Sequence, residues 1–128
     1  MKQVKILKCS HCGNIVLMLE DKGVPISCCN TPMQLLKANS TDAVSEKHVP
    51  AILEKTKTSS GVPVAKVQVG SVPHPMLPEH SINWIGSFSS KTWVIKWLQP
   101  GEQPCCELRL DNDAQIYEYC NLHGLWVK

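Results

Sequence analysis

The chain has 128 residues, 43% of them hydrophobic and 19% charged, with a formal net charge of +2. That is enough for one modest domain, or for a small domain joined to a tiny metal-stabilised one. The charge is too mild and the lysines too scattered for a nucleic-acid partner, and no apolar run approaches the roughly 20 residues a membrane span needs.

The amino terminus, Met1-Lys2-Gln3-Val4-Lys5-Ile6-Leu7-Lys8, carries neither the apolar core nor the cleavage site of a secretory signal. A cytoplasmic, reducing setting is therefore expected. There, seven cysteines point to metal rather than to disulfides. Cys9-Ser10-His11-Cys12-Gly13 is a Cys-x-x-Cys-Gly knuckle, followed after fifteen residues by Cys28-Cys29. The glycine allows the backbone to turn its N–H groups toward sulfur. Four thiolates suit a tetrahedral site holding zinc or a single iron. Neighbouring side chains on an extended strand diverge, so Cys28 and Cys29 can share an ion only where the backbone bends. His11 reads as a solvent-facing loop residue. So short a segment buries little core, and the metal should supply most of its folding free energy.

Lys37 to Ser45 is polar and reads as a link, with Asp42 as a candidate cap for a short helical turn leading to Glu46. From Gly61 onward alternation dominates. Val67 and Val69 alternate with Lys66 and Gln68, Trp93, Ile95 and Trp97 share one face, and Leu108 and Leu110 alternate with Glu107, Arg109 and Asp111. Gly70-Ser71, Ser89-Ser90, Pro100-Gly101 and Asn112-Asp113 supply turns between them. Short strands at this spacing predict an all-β antiparallel sandwich or barrel, and the four tryptophans are candidate core anchors. Cys106 falls in phase with the leucines as a small core residue, and Cys105 faces outward.

Four of the five histidines fall in this second part: His48, His74, His80 and His123, most of them beside Pro or Gly. Loops are where a sandwich presents functional groups. A Pro-broken loop can curl His74 and His80 around one ion, and Tyr119-Cys120-Asn121-Leu122-His123-Gly124 brings a thiolate and an imidazole to one turn. One thiolate among several imidazoles suits a redox iron or copper better than structural zinc.

These segments resemble, nearly end to end, the desulfoferrodoxin family of two-iron superoxide reductases. The matching stretches are Cys9-x-x-Cys12-Gly13-Asn14, Cys28-Cys29, Glu46-Lys47-His48-Val49-Pro50, Val69-Gly70-Ser71-Val72-x-His74-Pro75-Met76, Glu79-His80-x-Ile82-x-Trp84-Ile85 and Tyr119-Cys120-Asn121-Leu122-His123-Gly124-x-Trp126. Ser81, where an aromatic is common, and Cys105-Cys106 depart from the pattern. The resemblance implies a desulforedoxin-like (rubredoxin-type) domain over 1–37 and an immunoglobulin-like β-sandwich over 38–128. It implies iron at Cys9, Cys12, Cys28 and Cys29. A catalytic iron would have His48, His74, His80 and His123 as equatorial ligands and Cys120 as the axial thiolate. Glu46 and Lys47 match the family's residues beside the sixth position. Superoxide would be the substrate, a rubredoxin-like protein the electron donor, and a homodimer the assembly.

The chemistry is coherent in its own terms. Four neutral imidazoles and one thiolate leave a ferrous centre with a single net positive charge, which attracts a small anion. A thiolate opposite the open position donates electron density to the metal, and Lys47 would steer the anion in. The competing reading is a non-catalytic zinc-ribbon and β-sandwich module, or an electron carrier. It accounts for the four amino-terminal cysteines but leaves four histidines and Cys120 without a purpose.

Overall fold

Every strand pairing in this computed structural model, which describes residues 3–128, is antiparallel. Met1 and Lys2, at the head of the expected 1–37 domain, lie outside the described residues. The chain divides into two compact units, one ending at Lys37 and one spanning Ala38–Lys128.

In the first unit, β1 (Lys5–Lys8) and β2 (Ile15–Met18) form a hairpin whose loop carries the Cys9–Cys12 knuckle. A smaller hairpin joins β3 (Ser27–Cys28) to β4 (Thr31–Pro32), and β5 (Gln34–Leu35) returns to pair with β1. The two turn residues of the small hairpin, Cys29 and Asn30, have φ of 53° and 58°. Positive φ at both central positions suits a tight turn that follows the twist of its strands. This is the backbone bend that adjacent cysteines require. Among the described residues of this unit only Ile6, Leu7 and Cys9 are buried hydrophobics, while Leu19 and Val24 stand 68% and 71% exposed.

The second unit opens with one helical turn, α1 (Ser45–His48), followed by β6 (Pro50–Lys57), β7 (Pro63–Val69), β8 (Ile82–Phe88), β9 (Trp93–Trp97), β10 (Cys105–Arg109), β11 (Gln115–Cys120) and β12 (Gly124–Val127). These strands form a three-stranded sheet, β10-β7-β6, and a four-stranded sheet, β12-β11-β8-β9. Ala65, Val67, Val69 and Leu108 from the first pack with Ile82, Ile85, Ile116 and Cys120 from the second in one core. The expected all-β, two-part antiparallel architecture is the one found. No described helix is long and apolar enough to cross a membrane.

Three details differ from the sequence expectation. Trp97 is 70% exposed, because Val94 rather than the Trp93, Ile95 and Trp97 face packs on the core. The aromatics instead gather about Phe88, which lies edge-on to Trp93 and Tyr117 at 5.5 and 5.6 Å. Asp42 does not cap α1: Val44 holds that position, with no side-chain hydrogen bond. The polar segment read as a link is also pinned. Asn39 donates from Nδ2 to the Val127 carbonyl at 3.0 Å and accepts the Val127 N–H at 2.9 Å.

Candidate metal centres

Two clusters of soft and borderline donors stand out, one in each unit. In the first, Cys9, Cys12, Cys28 and Cys29 bring their sulfurs within 4.8 Å of one another, and all four are free thiols. Cys12 and Cys28 lie 3.6 Å apart and Cys28 and Cys29 4.0 Å. A tetrahedral ion with metal–sulfur bonds of about 2.3 Å sets sulfurs about 3.8 Å apart, so the donor set fits a metal. The knuckle backbone is turned toward it. His11 and Cys12 donate N–H groups to Cys9 Sγ, and Asn14 donates to Cys12 Sγ, each at 3.4 Å. Those two N–H groups hold the Cys9 thiol down to about 6, whereas crowding by the Cys12 and Cys9 sulfurs pushes Cys29 up to about 12. Mutual repulsion among thiolates of this kind is what a bound cation relieves. The His11 side chain is exposed, as expected.

The second cluster is assembled from three separate stretches of chain. His48 ends α1, His74 and His80 sit in the loop between β7 and β8, Cys120 ends β11 beyond a register shift, and His123 lies in the turn to β12. One potential ligand atom each from His48, His74, Cys120 and His123 fall within 4.8 Å of one another. His80 stands outside that mutual distance, yet its ring belongs to the same array. Ring centroids run 4.6 Å from His48 to His74, 4.6 Å on to His80, 5.0 Å to His123 and 4.8 Å back to His48, each pair meeting edge to face. The His48–His80 diagonal is 6.5 Å, as in a square. Cys120 Sγ lies 3.5 Å from His74 Nε2 and 3.9 Å from His123 Nδ1.

The tautomers follow from the hydrogen bonds. The Pro75 carbonyl can only accept, so His74 Nδ1 carries the proton it donates at 2.6 Å, leaving Nε2 as the free donor atom. His80 Nε2 is buried without any partner. A buried orphan nitrogen on a ring set among three other imidazoles is the observation that fits a metal ion here. Burial lowers His48 and His74 to about 4 and lowers His80 as well, while it raises Cys120. Without a cation, His48, His74 and His80 are therefore neutral imidazoles beside a thiol. Neutral imidazole is the ligand form, and a cation at the site favours the thiolate.

A depression of about 230 Å³ opens on this cluster, lined by Ala43, Val44, Lys47, His48, His74, Pro75, His80 and His123. Cys120 is absent from that lining and fully buried, so the open face lies away from the thiol. Of the two residues expected beside that face, Lys47 lines it; Glu46 is exposed and does not.

Several neighbours had no role at the site assigned from the sequence. Trp126 stacks on His48 at 4.8 Å and 14°, and its indole N–H donates to the His123 carbonyl at 3.1 Å. Glu118 is fully buried, and burial pushes it up to about 9. Its Oε1 lies 3.9 Å from His48 Nδ1; with both groups held neutral this is no ion pair. Its phase was the available signal, since Glu118 falls in phase with Ile116 and Cys120 on β11. Gly70 matters through what it lacks: a Cβ there would collide with the Glu46 carbonyl oxygen and the Lys47 backbone.

Fold and clusters together define a two-centre metalloprotein, with one all-thiolate site and one imidazole–thiolate site. Residues 40–128 match the family model described as Desulfoferrodoxin, and residues 1–36 match Desulfoferrodoxin, N-terminal domain. A desulfoferrodoxin of Nitratidesulfovibrio vulgaris is 45% identical, with 97% of this chain and 94% of that one covered. A superoxide reductase of Thermococcus kodakarensis is 35% identical, over 68% of this chain and 88% of that one. Among solved structures, the superoxide reductase from Treponema pallidum superposes with a TM-score of 0.75 at 28% identity, covering 99% of each chain. The chain belongs to the desulfoferrodoxin family.

Proposed function

We propose that the chain is a superoxide reductase holding two irons, one in each unit. Residues 1–37 form the desulforedoxin-like domain, with Cys9, Cys12, Cys28 and Cys29 as ligands. Residues 38–128 form the catalytic domain, with His48, His74, His80, His123 and Cys120 as ligands. The observation that carries this reading is the depression lined by the four histidines and Lys47 but not by Cys120. A pure electron carrier needs no such opening.

Iron held by these five residues would supply the one electron that, with two protons, converts superoxide to hydrogen peroxide. The chain's own residues set the conditions. The buried imidazoles of His48 and His74 remain neutral at physiological pH, which is the form that can bind a metal. Lys47 adds a cation at the mouth, favouring anion entry and holding the incoming charge. Glu46, one residue away on the exposed side of α1, is the family-matched carboxylate for the sixth position. The apolar flank of Ala43, Val44 and Pro75 limits water and strengthens these electrostatic terms. The relatives named superoxide reductase support the reaction class. A rubredoxin-like electron donor, a homodimer and a cytoplasmic setting complete the proposal.

Metal analysis of the purified chain, with absorption spectra before and after ascorbate reduction, tests the two-iron composition. Superoxide consumption measured together with oxygen evolution tests the reaction: peroxide should appear without oxygen. Cys120→Ser is expected to abolish the thiolate-to-iron band of the imidazole-site iron and most activity, while the four-cysteine absorption stays. Survival of both would remove Cys120 from the site. A colourless zinc protein would instead establish the non-catalytic module.

A further inference from the structure

His80 differs from the other histidines of the square in how its backbone is held. His48 and His74 are each 3% exposed. His80 is half-buried and ends an exposed stretch, Leu77-Pro78-Glu79. Its main chain pairs with Leu77 in both directions, N–H to carbonyl at 3.1 Å and carbonyl from N–H at 2.9 Å. Those two bonds close the stretch on itself. They fix its shape without fixing its position over the sandwich.

The position is fixed from the Cys120 turn. Asn121 Oδ1 accepts the Ser81 N–H at 2.9 Å, its Nδ2 donates to the Glu79 carbonyl at 3.0 Å, and its own N–H donates to the Ser81 carbonyl at 3.2 Å. The residues on either side of His80 are thus held by the residue that follows Cys120. The two side-chain bonds need one acceptor and one donor on the same planar group, which the asparagine amide supplies. Aspartate would keep the acceptor, lose the donor and set a carboxylate against the Glu79 carbonyl. Alanine would leave only the main-chain bond.

We infer that Asn121 is a positioning residue, a latch that registers His80 against the Cys120–His123 turn and so completes the nitrogen square. This rests on His80 being the fourth nitrogen ligand of the proposed function. The latch couples two ligand-bearing segments that are 40 residues apart in the chain. A residue that orients a metal ligand without touching the metal typically changes metal retention by about 10- to 100-fold.

The test compares release of iron to a chelator from the full two-iron protein and from N121A, N121D and H80A. The four-cysteine iron, read by its own absorption, serves as the internal reference. In N121A the imidazole-site iron should leave about tenfold faster or more, with a shifted thiolate-to-iron band, while the four-cysteine iron leaves at the parent rate. N121D should fall between N121A and the parent. If N121A releases the imidazole-site iron within about twofold of the parent while H80A is well beyond that, the latch is overturned and the ligand assignment stands. If H80A also stays within that margin, the four-nitrogen reading itself falls. Should N121A lose both irons through misfolding, N121D decides by the same margin.

Discussion

The two units solve the problem of holding a metal in opposite ways. The unit ending at Lys37 has almost no core, and its sulfurs are grouped on two tight turns where local backbone N–H groups already face them. The Ala38–Lys128 unit has a sandwich core drawn from both sheets, and its ligands come from three distant stretches. In the first the metal makes the fold; in the second the fold makes the metal site. The difference teaches that donor clusters of similar compactness can have opposite energetic roles.

The largest expected effect breaks that contrast if it fails. Stripping metal from the reduced chain should unfold the unit ending at Lys37 outright, since metal binding of about 10 kcal/mol or more is there folding free energy. Amide hydrogen exchange should show protection lost at Ile6 and Leu7 but kept across β7, β8 and β11. Persisting protection at Ile6 and Leu7 would mean the first unit has a core of its own.

Leu108→Ala sharpens the other side. Leu108 is 2% exposed in the sandwich core, and its truncation should cost about 2–5 kcal/mol. Thermal unfolding of the sandwich should shift accordingly while the four-cysteine absorption stays unchanged at lower temperature. A smaller reaction-level effect is expected from Lys47→Ala. On the proposed function, it should slow the superoxide reaction about tenfold and flatten its salt dependence without changing iron content. Pulse-radiolysis rates equal to the parent at all salt concentrations would remove Lys47 from the steering role.

The smallest effect concerns pH. In the metal-free chain, His48 and His74 titrate near 4 in the folded state against about 6.5 when unfolded. The unfolded state therefore binds more protons between those values, and stability is lost as pH falls from about 6.5 toward 4. Melting temperatures of the metal-free protein across that range should decline, and loading with metal should move the decline to lower pH.

Much of the site was legible in the sequence because ligand chemistry is restrictive: few residue types bind iron, and Cys9, Cys12, Cys28, Cys29 and Cys120 announce themselves. The strand phases of Val67, Val69, Leu108 and Cys106 were legible because one face of each strand is buried. Trp97 misled because residue size says nothing about which face meets the core. Asp42 misled because a helix of one turn can form without a side-chain cap, closed by backbone bonds alone, Lys47 N–H to the Val44 carbonyl and Val49 N–H to the Ser45 carbonyl. The roles of Asn121, Trp126 and Glu118 depend on contacts between segments far apart in the chain, which spacing cannot reveal. The depression beside Lys47 belongs to the same class, since a concavity exists only once three stretches have met.

The space left by Gly70 has a consequence for how such a chain can vary. The Glu46–Lys47 backbone occupies the volume where any other residue would place its first side-chain carbon. Position 70 and the ligand-bearing turn therefore form a single unit of mutational constraint, although 22 positions separate Gly70 from His48. In a saturation library selected for the absorption band of the imidazole-site iron alone, position 70 should return to glycine almost alone, while its exposed neighbour Ser71 accepts many substitutions.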